Sequence, residues 1–127
     1  SFNSSELLRM PLTESDQPYI KTDTGLEYRS LEEGEGDKPE PSSTVTVHYM
    51  GCFEDGEQFD SSYDRNEPTT FPLSGVIPGW TEGLQLMSSG SKYQFKIPYH
   101  LGYGEAGYPG VIPPKATLYF EIELISF

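Results

Sequence analysis

The sequence predicts an α+β domain in which an antiparallel β-sheet curls around one short α-helix. The segments "TVTVHYMGCF", "SKYQFKIP" and "ATLYFEIELISF" alternate apolar and polar residues, the period of strands with one buried and one wet face. Only "FPLSGVIPGWTEGLQLM" repeats at helical spacing, with Trp80, Leu84 and Met87 at i, i+4 and i+7. Asp55-Gly56, inside "EDGEQFD", is a strong short-range hairpin signal. Four or more such strands and one helix bury their apolar faces best when the sheet wraps the helix. At 127 residues there is room for one core and not for two.

The elements follow in order. Residues 1–24, "SFNSSELLRMPLTESDQPYIKTDT", are polar, contain Pro11 and Pro18, and keep no period of 2 or 3.6. They read as a lead-in arm, in which "SSELLRM" is either one or two helical turns capped by Ser4 or Ser5, the remnant of a longer helical region, or a tail. The start at Ser1, without methionine or signal peptide, reads as a processed or trimmed form. The domain itself is expected over residues 25–127. "GLEYRSLEE" alternates with Leu26 and Tyr28 on one face, and "GEGDKPEPSS" has the chemistry of an exposed loop. In the next strand Val45, Val47 and Tyr49 share one face while Thr46 and His48 take the other. The helix is expected to open at Pro78 or Gly79 and to end near Ser88-Ser89-Gly90. Tyr93, Phe95 and Ile97 then point inward with Lys92, Gln94 and Lys96 toward water. Leu118, Phe120, Ile122 and Leu124 do the same against Thr117, Tyr119, Glu121 and Glu123. Tyr93, Phe95 and Phe127 are assigned to the core.

Charge and composition exclude several functions. With 20 acidic and 8 basic residues the net charge is -12, which repels nucleic-acid phosphates and anionic lipid heads and favours basic or neutral partners. No apolar run is long enough to insert in a membrane. The single cysteine, Cys52, cannot close an internal disulfide, and with only His48 and His100 beside it no zinc cluster can be assembled. Cys52 reads as a small filler and His48 as structural or exposed. The acidic stretches "LEEGEGDKPE" and "FEDGEQFD" lack calcium-loop spacing, so neither a metal nor a cofactor is implied.

Gly102, Gly104 and Gly107 in "LGYGEAGYPGVIPP" have the G-x-G-x-x-G spacing of a phosphate loop. Such a loop needs a helix opening on its glycines. Pro109, Pro113 and Pro114 follow instead, each removing a backbone donor and disfavouring helix. The stretch reads as a stiff loop presenting Tyr103, Tyr108, Val111 and Ile112. Together with Phe59, Trp80, Val76 and Ile77, which also fall at turns or element starts, these suggest an apolar aromatic pocket with Asp60 at its rim.

"VTVHYMG", "GEQFDSSYDRNEPTTF", "VIPGWTEGLQLM" and "GYGEAGYPGVIPPKATLYFEIEL", in this order, resemble the FKBP family of immunophilins over residues 25–127. Together with "TGLEYRSLEEGEGDKP" and the final "ELISF", the wording is most similar to the bacterial macrophage infectivity potentiator (Mip) type. The resemblance implies peptidyl-prolyl cis-trans isomerase activity without a cofactor, acting on proline-containing polypeptides, and binding of the macrocycles rapamycin and tacrolimus. A non-catalytic module holding proline-containing clients on the same pocket is the alternative. Members of the Mip type carry an N-terminal helical dimerisation region and are exported, so the resemblance favours the bacterial periplasm or outer membrane surface, with the cytoplasm as the alternative; the chain, lacking that region, is expected to be a monomer. Carried over position by position, the resemblance implies Asp60, Trp80, Tyr103 and Phe120 as catalytic residues. Tyr49, Phe59, Arg65, Val76, Ile77, Tyr108, Val111 and Ile112 are implied as binding residues. In that scheme Trp80 is the floor, the Tyr103 hydroxyl and the Ile77 N–H bond ligand carbonyls, and Arg65 and Tyr49 hold Asp60. Thr69 and Tyr108 depart from the family pattern, standing where drug-binding members often carry an aromatic and a histidine.

Overall fold

Seven strands form one antiparallel sheet in the computed structural model, which describes residues 12–127. They are β1 (Ile20–Lys21), β2 (Glu27–Glu32), β3 (Thr44–Cys52), β4 (Gln58–Ser61), β5 (Thr69–Pro72), β6 (Lys92–Ile97) and β7 (Leu118–Ser126). Their order across the sheet is β1-β2-β6-β7-β3-β4, with β5 also pairing with β3. The stretch "SSELLRM" lies outside the described residues.

The alternation in the sequence becomes the two faces of this sheet. Val45, Val47, Phe95, Ile97, Leu118, Ile122 and Leu124 are all buried on the inner face, where Leu84 of the helix packs. Registers Tyr93↔Ile122↔Tyr49 and Phe95↔Phe120↔Gly51 run straight across β6, β7 and β3, so each inward row is continuous. The predicted hairpin forms between β3 and β4. Gly56 takes a φ of +88°, and Phe53 and Glu57 close the turn through a 2.9 Å N–H···O bond.

The helix α1 (Pro78–Leu84) opens at Pro78, where the missing N–H costs nothing. It ends earlier than the periodicity suggests. After Leu84 the chain tightens, with Leu86 N–H bonded to the Gly83 carbonyl and Met87 N–H to the Leu84 carbonyl. Met87 is still fully buried, but by this turn and not by the helix.

Two expectations about the faces fail for identifiable reasons. Gln94 and Glu121 are 0% and 3% exposed although they sit on the outer face, because residues of the arm lie across them. Phe127 is 47% exposed: the parity that buries Leu118 through Leu124 sends it the other way. The arm also contributes β1, whose Ile20 and Lys21 pair with Tyr28 and Glu27, so order begins before residue 25.

Candidate active site

Between the helix and the open side of the sheet lies a pocket of about 350 Å³, lined by Tyr49, Phe59, Asp60, Phe71, Gly75, Val76, Ile77, Trp80, Tyr103 and Phe120. Pro78 holds Ile77 in extended backbone (φ -61°, ψ 150°), so the chain turns into the helix just beneath the pocket. Thr81 Oγ1 donates to the Leu73 carbonyl (2.6 Å), fixing the helix to the short 3-10 turn Leu73–Gly75. Trp80, one turn in, thereby becomes the floor.

The floor is held by rings standing on edge. Tyr49, Phe71 and Phe120 lie 5.1, 5.3 and 5.3 Å from the indole by ring centroid, at interplanar angles of 83°, 83° and 87°. Perpendicular packing suits the aromatic quadrupoles and locks the indole plane. Trp80 is 5% exposed, and its Nε1–H has no hydrogen-bond partner among the described residues. Phe59 meets Phe120 at 90° and 5.5 Å. That contact depends on Gly51, where a Cβ would come within 2.7 Å of both rings.

One polar cluster interrupts the apolar lining. Tyr49 OH donates to Asp60 Oδ2, Arg65 Nη1 donates to Asp60 Oδ1 (2.7 Å), and Arg65 Nη2 reaches Tyr49 OH (3.1 Å) and Thr69 Oγ1 (3.4 Å). Burial by itself pushes the Asp60 carboxyl up. The hydrogen bonds from Tyr49 and Arg65, the Arg65 charge and the Ser61 N–H outweigh it and hold the group below its ordinary value of 3.8. Tyr49 and Tyr103 move the opposite way, above 10.0, first through burial and then through the Asp60 carboxylate beside them. The site therefore keeps one carboxylate charged, already neutralised by Arg65, and two phenols protonated. Two donors remain free. Neither the Tyr103 hydroxyl nor the Ile77 N–H has a partner among the described residues.

The loop carrying Tyr103 is not a phosphate loop. A 3-10 turn, Tyr99–Leu101, precedes it, and turns follow the glycines where that motif requires a helix. Gly107, at φ +71°, passes so close to the Pro113 and Ile112 carbonyls that a Cβ would lie 2.4 Å from the latter. The Tyr108↔Ile112 bridge closes the tip.

Of the residues anticipated, Tyr49, Phe59, Asp60, Val76, Ile77, Trp80, Tyr103 and Phe120 converge on the pocket. Arg65 stands behind Asp60. Tyr108 and Val111 are not among the lining residues: they are 55% and 52% exposed, with Tyr108 edge-on to the lining residue Tyr103 at 5.9 Å. Ile112 is buried in the core cluster behind the wall. Phe71 and Gly75 were not anticipated. The only signal for Phe71 was the four-residue strand "TTFP", too short to show a period, in which Phe71 pairs with Val45. Cys52 is buried, and desolvation, followed by the nearby Asp55, pushes its thiol up to about 11, which suits a filler. His48 stacks on Tyr63 at 4.5 Å and bonds Ser62 Oγ, on the outer side of β3. His100 donates to the Thr24 carbonyl.

Comparison with known proteins points to one family. A family model described as FKBP-type peptidyl-prolyl cis-trans isomerase matches residues 35–125. The FKBP-type isomerase FkpA of Aeromonas hydrophila is 53% identical over 105 residues, 83% of this chain and 39% of its own length. The isomerase Mip of Coxiella burnetii is 46% identical over 112 residues, 87% of this chain and 49% of its own length. The crystal structure of FkpA from Escherichia coli superposes with a TM-score of 0.82 at 50% identity, covering 85% of this chain and 50% of that one. The chain thus spans half or less of the length of these relatives. With the family model matching most of the chain and the fold superposing on that of a member, the chain belongs to the FKBP-type peptidyl-prolyl cis-trans isomerases.

Proposed function

We propose that this domain accelerates rotation about X–Pro peptide bonds by holding the prolyl ring in the Trp80 pocket. The observation that supports it most is the pairing of an aromatic floor with two free donors, Tyr103 OH and Ile77 N–H, at an otherwise apolar mouth.

A planar amide resists rotation by ~18–20 kcal/mol because twisting removes its resonance. The resonance form is also the more polar one. Moving the bond from water into an apolar slot therefore disfavours the planar ground state relative to the twisted one. Trp80, Phe59, Phe71 and Phe120 supply that slot, while Tyr103 and Ile77 anchor the carbonyls flanking the proline. Uncatalysed isomerisation takes roughly tens to hundreds of seconds. Lowering its barrier by about 8 kcal/mol would bring roughly a millionfold acceleration. No bond breaks, so no nucleophile is needed. The substrates are proline-containing polypeptides, and rapamycin or tacrolimus would compete for the same pocket.

A protease-coupled assay on a Leu-Pro peptide tests this. Acceleration over buffer that is abolished by a pocket ligand is the expected result. Rates equal to buffer, with the domain shown folded by Trp80 fluorescence, would make the pocket a non-catalytic holder of proline segments.

A further inference from the structure

The outer face of the sheet carries a polar row, half-buried at Arg29 and buried at Gln94 and Glu121, that the pocket does not use. Arg29, Gln94 and Glu121 are paired in register across β2, β6 and β7. Arg29 Nε donates to Gln94 Oε1 (2.7 Å) and Gln94 Nε2 to Glu121 Oε1 (2.9 Å). What lies on this row is the arm. Thr13 N–H donates to Glu121 Oε1 (2.7 Å), Thr13 Oγ1 donates to Glu121 Oε2 (2.9 Å), and Gln94 Nε2 donates to the Thr13 carbonyl (2.6 Å). Arg29 Nη1 continues the line to the Gln17 carbonyl at 3.0 Å and, more weakly, to the Ser15 carbonyl at 3.4 Å. Its guanidinium sits 4.3 Å from the centre of the Tyr19 ring, and at the next residue the chain enters β1.

Four of these five contacts to residues 13–17 are made to main-chain atoms. Side chains of the sheet are doing what a neighbouring strand would do, satisfying N–H and C=O groups of an extended segment. Gln94 and Glu121 are buried only beneath that segment, and a buried amide and carboxylate are costly unless their bonds are complete. The family match begins at residue 35, well after this stretch.

We propose that the Arg29–Gln94–Glu121 row is a main-chain-reading socket, that its occupant is this chain's own segment 13–19, and that this segment is a fixed strap of the domain. Because Phe120 lines the pocket and Glu121 is the next residue of β7, the strap runs on the face opposite the pocket.

Trypsin cleavage after Lys21, followed by mass in the full chain, tests the strap: the Lys21 side chain is exposed, but its backbone is paired with Glu27 of β2, and cleavage needs that pairing to open. The wild type is expected to be cut at least about tenfold more slowly than a free peptide of residues 12–28. Thr13→Pro, which removes both the N–H and the hydroxyl, should restore most of that rate. Gln17→Ala should not, because only its carbonyl is read. Glu121→Ala is a second variant from the socket side, with Trp80 fluorescence and isomerase rate reporting the fold. Wild-type cleavage as fast as the peptide would overturn the proposal. So would Thr13→Pro and Glu121→Ala proteins that stay folded and are cut no faster than wild type.

Discussion

Phe120 and Glu121 are neighbours in β7, and between them they separate two regions run on opposite rules. On the inner side, Phe120 belongs to a cluster of perpendicular rings where the Tyr103 hydroxyl and the Ile77 N–H are left unspent among the described residues. On the outer side, Glu121 belongs to a row in which every side chain bonds its neighbour or the arm. A saturated polar row fixes structure, and free donors at an apolar mouth serve a guest. The difference teaches where to look for function: at polar groups that the fold has left without partners.

The largest effect is expected from removing the floor. Trp80→Ala should cost ~3–5 kcal/mol of stability and abolish isomerase activity, measured by thermal melts and the peptide assay together. Full activity at unchanged stability would take Trp80 out of the site. A glycine comes next. Gly51→Ala places a methyl against Phe59 and Phe120, so overpacking of ~1–3 kcal/mol is expected, with kcat/KM falling about tenfold as the rings shift. The outer face should not notice: the strap's resistance to trypsin should be that of the wild type.

The inner side of this contrast was legible in the sequence and the outer side was not. Alternation placed Val45, Val47, Tyr49, Phe95 and Phe120 correctly, because apolar residues at period two have only one low-energy face to occupy. The same alternation sent Gln94 and Glu121 to water. Nothing local could correct it, since their cover is Thr13, 81 and 108 positions away in sequence. Phe71 was missed because a four-residue strand is too short to carry a period.

Smaller changes sharpen the polar edge of the pocket. Asp60→Val should lower kcat/KM by roughly tenfold, the worth of about one charge-assisted hydrogen bond, and should lower the neutral-pH melting temperature by what the Asp60 bonds to Tyr49 and Arg65 contribute. The same substitution should flatten the acid limb of stability. The folded pKa of Asp60 lies below its unfolded value, so its contribution is present above about pH 4 and is lost as pH falls through the lowered folded pKa. A wild-type acid limb retained in the variant would assign that limb to other carboxylates. Tyr103→Phe removes one free hydroxyl and should raise KM about fivefold, the equivalent of ~1 kcal/mol, leaving the melting curve in place. An unchanged KM would mean that the hydroxyl does not meet the substrate.

The central claim is that rate comes from twisting an amide in an apolar slot, with no proton transferred. Among the titratable groups lining the pocket, Asp60 lies below 3.8, and Tyr49 and Tyr103 lie above 10.0. None changes charge between about pH 6 and 9, the window in which histidine is the usual acid or base. His48 stacks on Tyr63 behind β3 and His100 holds the Thr24 carbonyl, and neither lines the pocket. The deciding measurement is kcat/KM across that pH range for the wild type and for His48→Asn with His100→Asn. The account predicts two nearly flat profiles within about threefold of each other, a barrier difference of only ~0.7 kcal/mol. A bell-shaped wild-type profile that vanishes in the double variant would mean acid–base chemistry and would contradict it.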